Sequence, residues 1–237
     1  MNNKTNRHTN SNKAWNRRGA NKQTAYHIES IPLQKRFLIV CEGETEADYF
    51  NAFPVVSAQV EAVAKGRSRT ALVEVARKMS AKYPEHEIWV VFDLDFYVDA
   101  TNQSNYDCRD DFDEAVFLAD AYQITVAYSN DAFELWFLLH FEQCNAAVLR
   151  QYFYERLSEI WKNDLRGKSY DSDKAGGKTA FFRQHNYYRL LPQQRKAIQR
   201  AKKLHEQHQL KHHLPSMQNP CTTVYQLVEA LNQYLKR

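Results

Sequence analysis

Apolar and polar positions follow two rhythms along this chain. Phe37-Leu38-Ile39-Val40-Cys41 and Ile88-Trp89-Val90-Val91-Phe92 are uninterrupted apolar runs bounded by polar residues, the pattern of strands buried on both faces. Gln123 to Tyr128 predicts a further strand, and the looser alternation over 55–63 a weaker one. Within 69–82, Leu72, Val75, Ala76 and Met79 recur at helical spacing and mark an amphipathic helix. Helices are also expected from Thr45, where Thr45 and Asp48 have capping-box spacing, and near 111–122. Another follows Asn130 or Asp131, either of which can cap the segment carrying Phe133, Leu135, Trp136, Leu138 and Leu139. Strands alternating with helices over 35–142 argue for an α/β fold with a mostly parallel sheet flanked by helices. From Asn145 onward the periodicity is helical only, over roughly 145–162, 192–209 and 222–236. The expected organisation is a flexible basic arm over 1–30, an α/β core over 31–145 and an all-helical C-terminal extension over 146–237.

Composition adds little until it is divided. The 237 residues include 43% hydrophobic and 25% charged side chains, the proportions of a globular protein, and a formal net charge of only +4. Residues 1–30 nevertheless carry +5, residues 31–145 carry −11 and residues 146–237 carry +10. Near-neutrality is thus a cancellation between segments, and such asymmetry points toward a polyanionic or metal-bound partner. No apolar stretch approaches the roughly 20 residues that span a bilayer, and the first 30 residues hold no apolar h-region, so a cytoplasmic location is expected. Cys41, Cys108, Cys144 and Cys221 are scattered without a Cys-x-x-Cys pair and are expected to be reduced packing residues.

In an open parallel sheet, functional groups gather at the carboxyl ends of strands. Glu42, Asp93 and Ser129-Asn130 each fall at such an end. Glu46 should lie in the first turn of the helix after Glu42, and a strand's period of two should turn Asp93 and Asp95 to one side. Four carboxylates on one edge repel, and a hard cation with oxygen ligands, Mg²⁺ or Mn²⁺, is the natural relief. Asp131-x-x-Glu134 fits a capping box as well as it fits a metal role for Glu134. His140, deep in an aromatic helix, reads as a core histidine, or one supporting a ligand from behind, ahead of a ligand itself.

The strings Phe37 to Glu46, Val90 to Asp95 and Ser129 to Trp136, with His140-Phe141, Tyr170, Lys174 and Asn219 to Val224, resemble the RloB-like family over about residues 35–235. That resemblance implies a Toprim core and a metal-dependent nuclease of the phage-defence or restriction-associated type. Glu42 would be general acid/base or metal ligand, Glu46 a second ligand, and Asp93 and Asp95 the main metal-holding pair. It also implies an AAA-type ATPase partner. Leu94 stands where the family pattern has Arg, which leaves a phosphate contact missing or supplied elsewhere, and Asp131 stands where the pattern has Pro.

Basic residues supply the nucleic-acid half of the expectation. Arg67 and Arg69 precede or open a helix, Lys168, Lys174 and Lys178 lie in the loop after the core, and Arg195 and Arg200 stripe the 192–209 helix. Lys174 or Lys178 is expected to reach the scissile phosphate. Gly176-Gly177-Lys178-Thr179 is not a P-loop, because Ser172 stands where the first Gly is needed and no buried strand precedes it. Two rivals remain: an Asp-nucleophile phosphatase, with Asp93 attacking and Asp95 as acid/base, and a non-catalytic nucleic-acid-binding subunit of a defence complex.

Overall fold

The computed structural model describes residues 35–55, 58–64, 68–96, 107–163, 170 and 187–235. The expected basic arm and the residues Arg67, Lys168, Lys174 and Lys178 lie outside them.

The alternation read from the sequence becomes β1 (Lys35–Cys41), α1 (Glu44–Asn51), β2 (Ala58–Ala64), α2 (Arg69–Ser80), β3 (His86–Asp93), α3 (Asp107–Ala121), β4 (Thr125–Asn130) and α4 (Glu134–Leu138). There follow α5 (Arg150–Ile160), α6 (Gln194–Gln209), β5 (Cys221–Thr222) and α7 (Val224–Asn232). The sheet order is β2-β1-β3-β4-β5. The first four strands run parallel, and β5 pairs antiparallel with β4 through Ser129 to Thr222 and Asn130 to Cys221. The C-terminal segment is therefore not purely helical. Two residues are too few to generate a period-two signal, and only the open edge of β4 makes them a strand.

Strand alternation sorts the core into two faces. Phe37, Ile39, Cys41, Trp89 and Val91 join one cluster, and Leu38, Val40, Ile88, Val90 and Phe92 join the other. The first face is covered by α1, α4 and the C-terminal helices through residues such as Phe153, Leu204 and Leu227. Tyr49 sits there among Phe50, Phe53, Phe133, Phe137 and Tyr187, with ring centroids 5.2 to 5.9 Å away. Edge and tilted ring pairs of this kind contribute about 1 kcal/mol each beyond the burial of their area. The second face is covered by α2 and α3 through Leu72, Val73, Phe112 and Ala115. All four cysteines are buried and unbridged. Among the described residues, no helix is long and apolar enough to cross a membrane.

Three local expectations are corrected. Helix α1 begins at Glu44 behind Gly43 with no side-chain cap, so Thr45 and Asp48 form no capping box. The weak strand starts at Ala58 rather than Val55, which instead bridges to Leu235. Helix α4 is preceded by Phe133 and also lacks a side-chain cap. Asp131 is drawn away from it by other amides.

Candidate metal centre

The acidic edge is assembled by strand register. Cys41 of β1 lies opposite Val91 of β3, and the Glu42 amide continues the ladder to the Val91 carbonyl at 2.9 Å. Glu42 and Asp93 are thereby lateral neighbours, and the Asp93 amide donates to the Glu42 carboxylate at 3.3 Å. Glu46 folds back from the first turn of α1 over Gly43. A Cβ at Gly43 would stand 2.7 Å from Glu46 Oε2, so glycine is what leaves room for that carboxylate. From the β4 side, the Phe133 amide donates to Asp93 Oδ2 at 2.8 Å, which delivers the next residue, Glu134, to the same edge. The Tyr170 hydroxyl lies 3.4 Å from Glu134 Oε1.

The charges feel one another. Burial pushes the Asp93 carboxyl well above its ordinary range, and Glu46, Glu134 and Glu42 push it further, with Arg150 opposing. Glu46 is raised to about 8, first by burial and also by Glu134 and Glu42. Glu42 is raised by burial, against the pull of Arg69, the Asp93 amide and Arg150. The electrostatic cluster is thus Glu42, Glu46, Asp93 and Glu134. Glu134, which its spacing left between cap and ligand, makes no cap and belongs to the acids.

Asp95 is placed differently from expectation. Strand β3 ends at Asp93, and Asp95 adopts a left-handed φ of 54°, a conformation Asp tolerates better than most residues. Its amide donates to the Asp131 carbonyl at 3.1 Å, and its carboxylate pairs with Arg69 and Arg150. The period-two argument fails here because the strand stops at Asp93, two residues short of Asp95.

Arg69 is likewise corrected from phosphate contact to internal clamp. It is buried, with Nε donating to the Asp93 carbonyl at 2.6 Å, one terminal nitrogen to the Leu94 carbonyl at 2.5 Å and the other to Asp111 at 3.3 Å. Such satisfaction of strand-end carbonyls by a buried guanidinium holds the acidic turn in place. Arg200 also turns inward, donating to the Leu139 carbonyl at 2.6 Å, whereas Arg195 is exposed on α6. Asn130 is fully buried and donates to the Ser216 carbonyl at 2.9 Å. His140 donates through Nδ1 to the Trp136 carbonyl at 2.8 Å and packs edge-on to the Trp136 ring. It is a core residue.

Arg150 carried no sequence signal. It opens α5, its amide is held by Asp131 at 3.0 Å, and its guanidinium pairs with Asp95 while its charge reaches Glu42, Glu46 and Asp93. Only the packing of α5 against α4, with its first amide held by Asp131, brings it to the edge.

Whether these residues suit a divalent cation is decided by Asp93. Its Oδ1 is buried and has no hydrogen-bond donor, an uncompensated acceptor in a crowd of acids. Among the described residues no three His, Cys, Asp or Glu side chains are drawn together as a finished ligand set. The donor chemistry is all carboxylate oxygen, which suits Mg²⁺ or Mn²⁺ rather than zinc, and the fit is one of charge and chemistry.

A family model described as RloB-like protein matches residues 37–231. No curated protein and no solved structure matches the chain.

Proposed function

This chain belongs to the RloB-like family, and we propose that it is a metal-dependent nuclease that hydrolyses phosphodiester bonds in DNA or RNA at the acidic edge of its sheet. The observation that carries this reading is the burial of Glu46 and Asp93 against Glu42 and Glu134, with Asp93 Oδ1 lacking any donor. A cluster of acids with raised proton affinity, placed at strand ends, is a site that asks for positive charge. We further propose that the α/β core is a Toprim domain, and that the protein works in phage defence or restriction beside an AAA-type ATPase.

Glu42, Glu46, Asp93 and Glu134 would hold Mg²⁺ or Mn²⁺. When bound, the ion supplies Lewis-acid polarisation of the phosphodiester and lowers the pKa of water. The chain's own residues do the rest. Glu42, its carboxyl raised by burial at the strand tip, can carry a proton to or from the reacting oxygens. Arg150, paired with Asp95, would be a cation to meet a phosphate in the stead of the arginine that Leu94 replaces. Arg69 braces the turn from behind.

The test is cleavage of plasmid, single-stranded DNA and tRNA with Mg²⁺ or Mn²⁺, alongside Glu42→Ala and Asp93→Ala and with the ATPase partner added in a parallel arm. Metal-dependent scission lost in both variants is expected. Hydrolysis of small phosphate esters only would replace this reading with the phosphatase, and metal-independent binding without cleavage would replace it with the binding subunit.

A further inference from the structure

A concavity lies against the Asp93 to Phe96 turn. It encloses about 310 Å³ and is walled by Leu94 and Phe96 of that turn, Arg109 of α3, Asn130 of β4, Val148 and Met217. A space of this size is at the lower end of small-ligand sites.

Its walls are built rather than accidental. The Asn219 amide makes both of its hydrogen bonds to the main chain of Val148, at 3.2 and 3.1 Å, which fixes the approach to α5. Ser216 is tied to Asp113 of α3 by its amide at 2.8 Å and its hydroxyl at 2.6 Å. Asn130, fully buried, donates to the Ser216 carbonyl, and its Oδ1 is left without a donor. The Arg109 guanidinium lies over the Phe96 ring at 4.6 Å.

The pocket thus offers the Phe96 ring with a guanidinium stacked on it, an apolar methionine wall and, among its lining residues, a buried Asn130 whose amide oxygen has no donor. An anion would meet the wrong end of Asn130, and a purely apolar ligand would leave that oxygen unpaired. A heteroaromatic ring with donor groups on its edge satisfies all three, and unstacked bases are read in this way by aromatic, arginine and amide side chains.

Resting on the nuclease reading above, we propose that this pocket receives one unstacked nucleobase of the substrate, next to the phosphate engaged at the acids, and favours a base bearing an exocyclic amine. Leu94 and Asn130 tie the two sites together, since Leu94 follows Asp93 directly and its amide donates to Ser129, the neighbour of Asn130, at 3.0 Å.

The test is titration of AMP, CMP, GMP and UMP into the full-length protein in EDTA, followed by NMR or calorimetry, with Met217→Trp and Phe96→Ala as variants. Met217 is 56% exposed, so tryptophan there can fill the pocket mouth without unfolding the protein. Wild type should bind an amine-bearing nucleotide about fivefold or more tightly than UMP, whose N3–H donor is flanked by two carbonyl oxygens that repel the Asn130 oxygen. Both variants should lose that preference, and Asp93→Asn should keep it. Equal affinities, no saturable binding, or a preference untouched by Met217→Trp would overturn the proposal. Because EDTA removes cleavage, cleavage without base preference would sink the pocket alone, and base preference without cleavage in the metal assay would sink the nuclease alone.

Discussion

The buried carboxylate of Asp131 accepts the main-chain amide of Arg150 at 3.0 Å with one oxygen and the amide of Phe96 at 2.7 Å with the other. One side chain thereby caps the first turn of α5 from a distant strand end and pins the turn that carries Asp95. Asp131→Ala leaves both amides unsatisfied and should cost about 3 kcal/mol in urea unfolding. Loss of less than about 0.5 kcal/mol would show that the two amides find other partners.

Gly43 is required by contact, not by backbone conformation, since its φ of −117° suits any residue. Gly43→Ala should therefore leave the melting temperature close to wild type while weakening Mg²⁺ binding about tenfold, because the added methyl displaces the Glu46 carboxylate. Metal titration by calorimetry checks it, with unchanged affinity the contrary result.

Glu46 has its carboxyl raised from 4.5 to about 8 in the folded protein. The folded state thus binds the proton more tightly than the unfolded chain. The stability this contributes is complete below pH 4.5 and is lost as pH rises toward 8. Added Mg²⁺ should raise the melting temperature more at pH 8 than at pH 5, and Glu134→Gln should stabilise the metal-free protein at pH 8 while lowering cleavage at least about 100-fold. A melting temperature for metal-free Glu134→Gln below that of wild type at pH 8 would remove Glu134 from the acid cluster.

His140 acts at the other end of the scale. Burial lowers it from 6.5 to about 4, and its Nε2 has no partner. Here the unfolded chain takes the proton first, so stability is intact above pH 6.5 and declines as pH falls toward 4, by about 3 kcal/mol. His140→Asn, which can keep a donor toward Trp136, should flatten that decline in denaturation curves taken between pH 4 and 6.5.

How much of this was legible in the chain follows from range. The apolar runs ending at Cys41 and Phe92 located β1 and β3, and with them Glu42 and Asp93, because a buried strand writes its own pattern into consecutive residues. Four expectations depended on partners far along the chain and changed accordingly. Asp95 left the strand plane, Arg69 turned inward to carbonyls 24 and 25 residues away, Asp131 capped α5 instead of α4, and Cys221–Thr222 became a strand only against β4.

The sequence by itself determined the alternating fold, the parallel sheet and the acidic strand tips, since hydrophobic period and strand-end position are local properties. Tertiary structure alone decided that Glu134 joins Glu42, Glu46 and Asp93, and that Arg150 faces them. Electrostatic neighbourhood depends on distance through space, and no spacing along a chain encodes it.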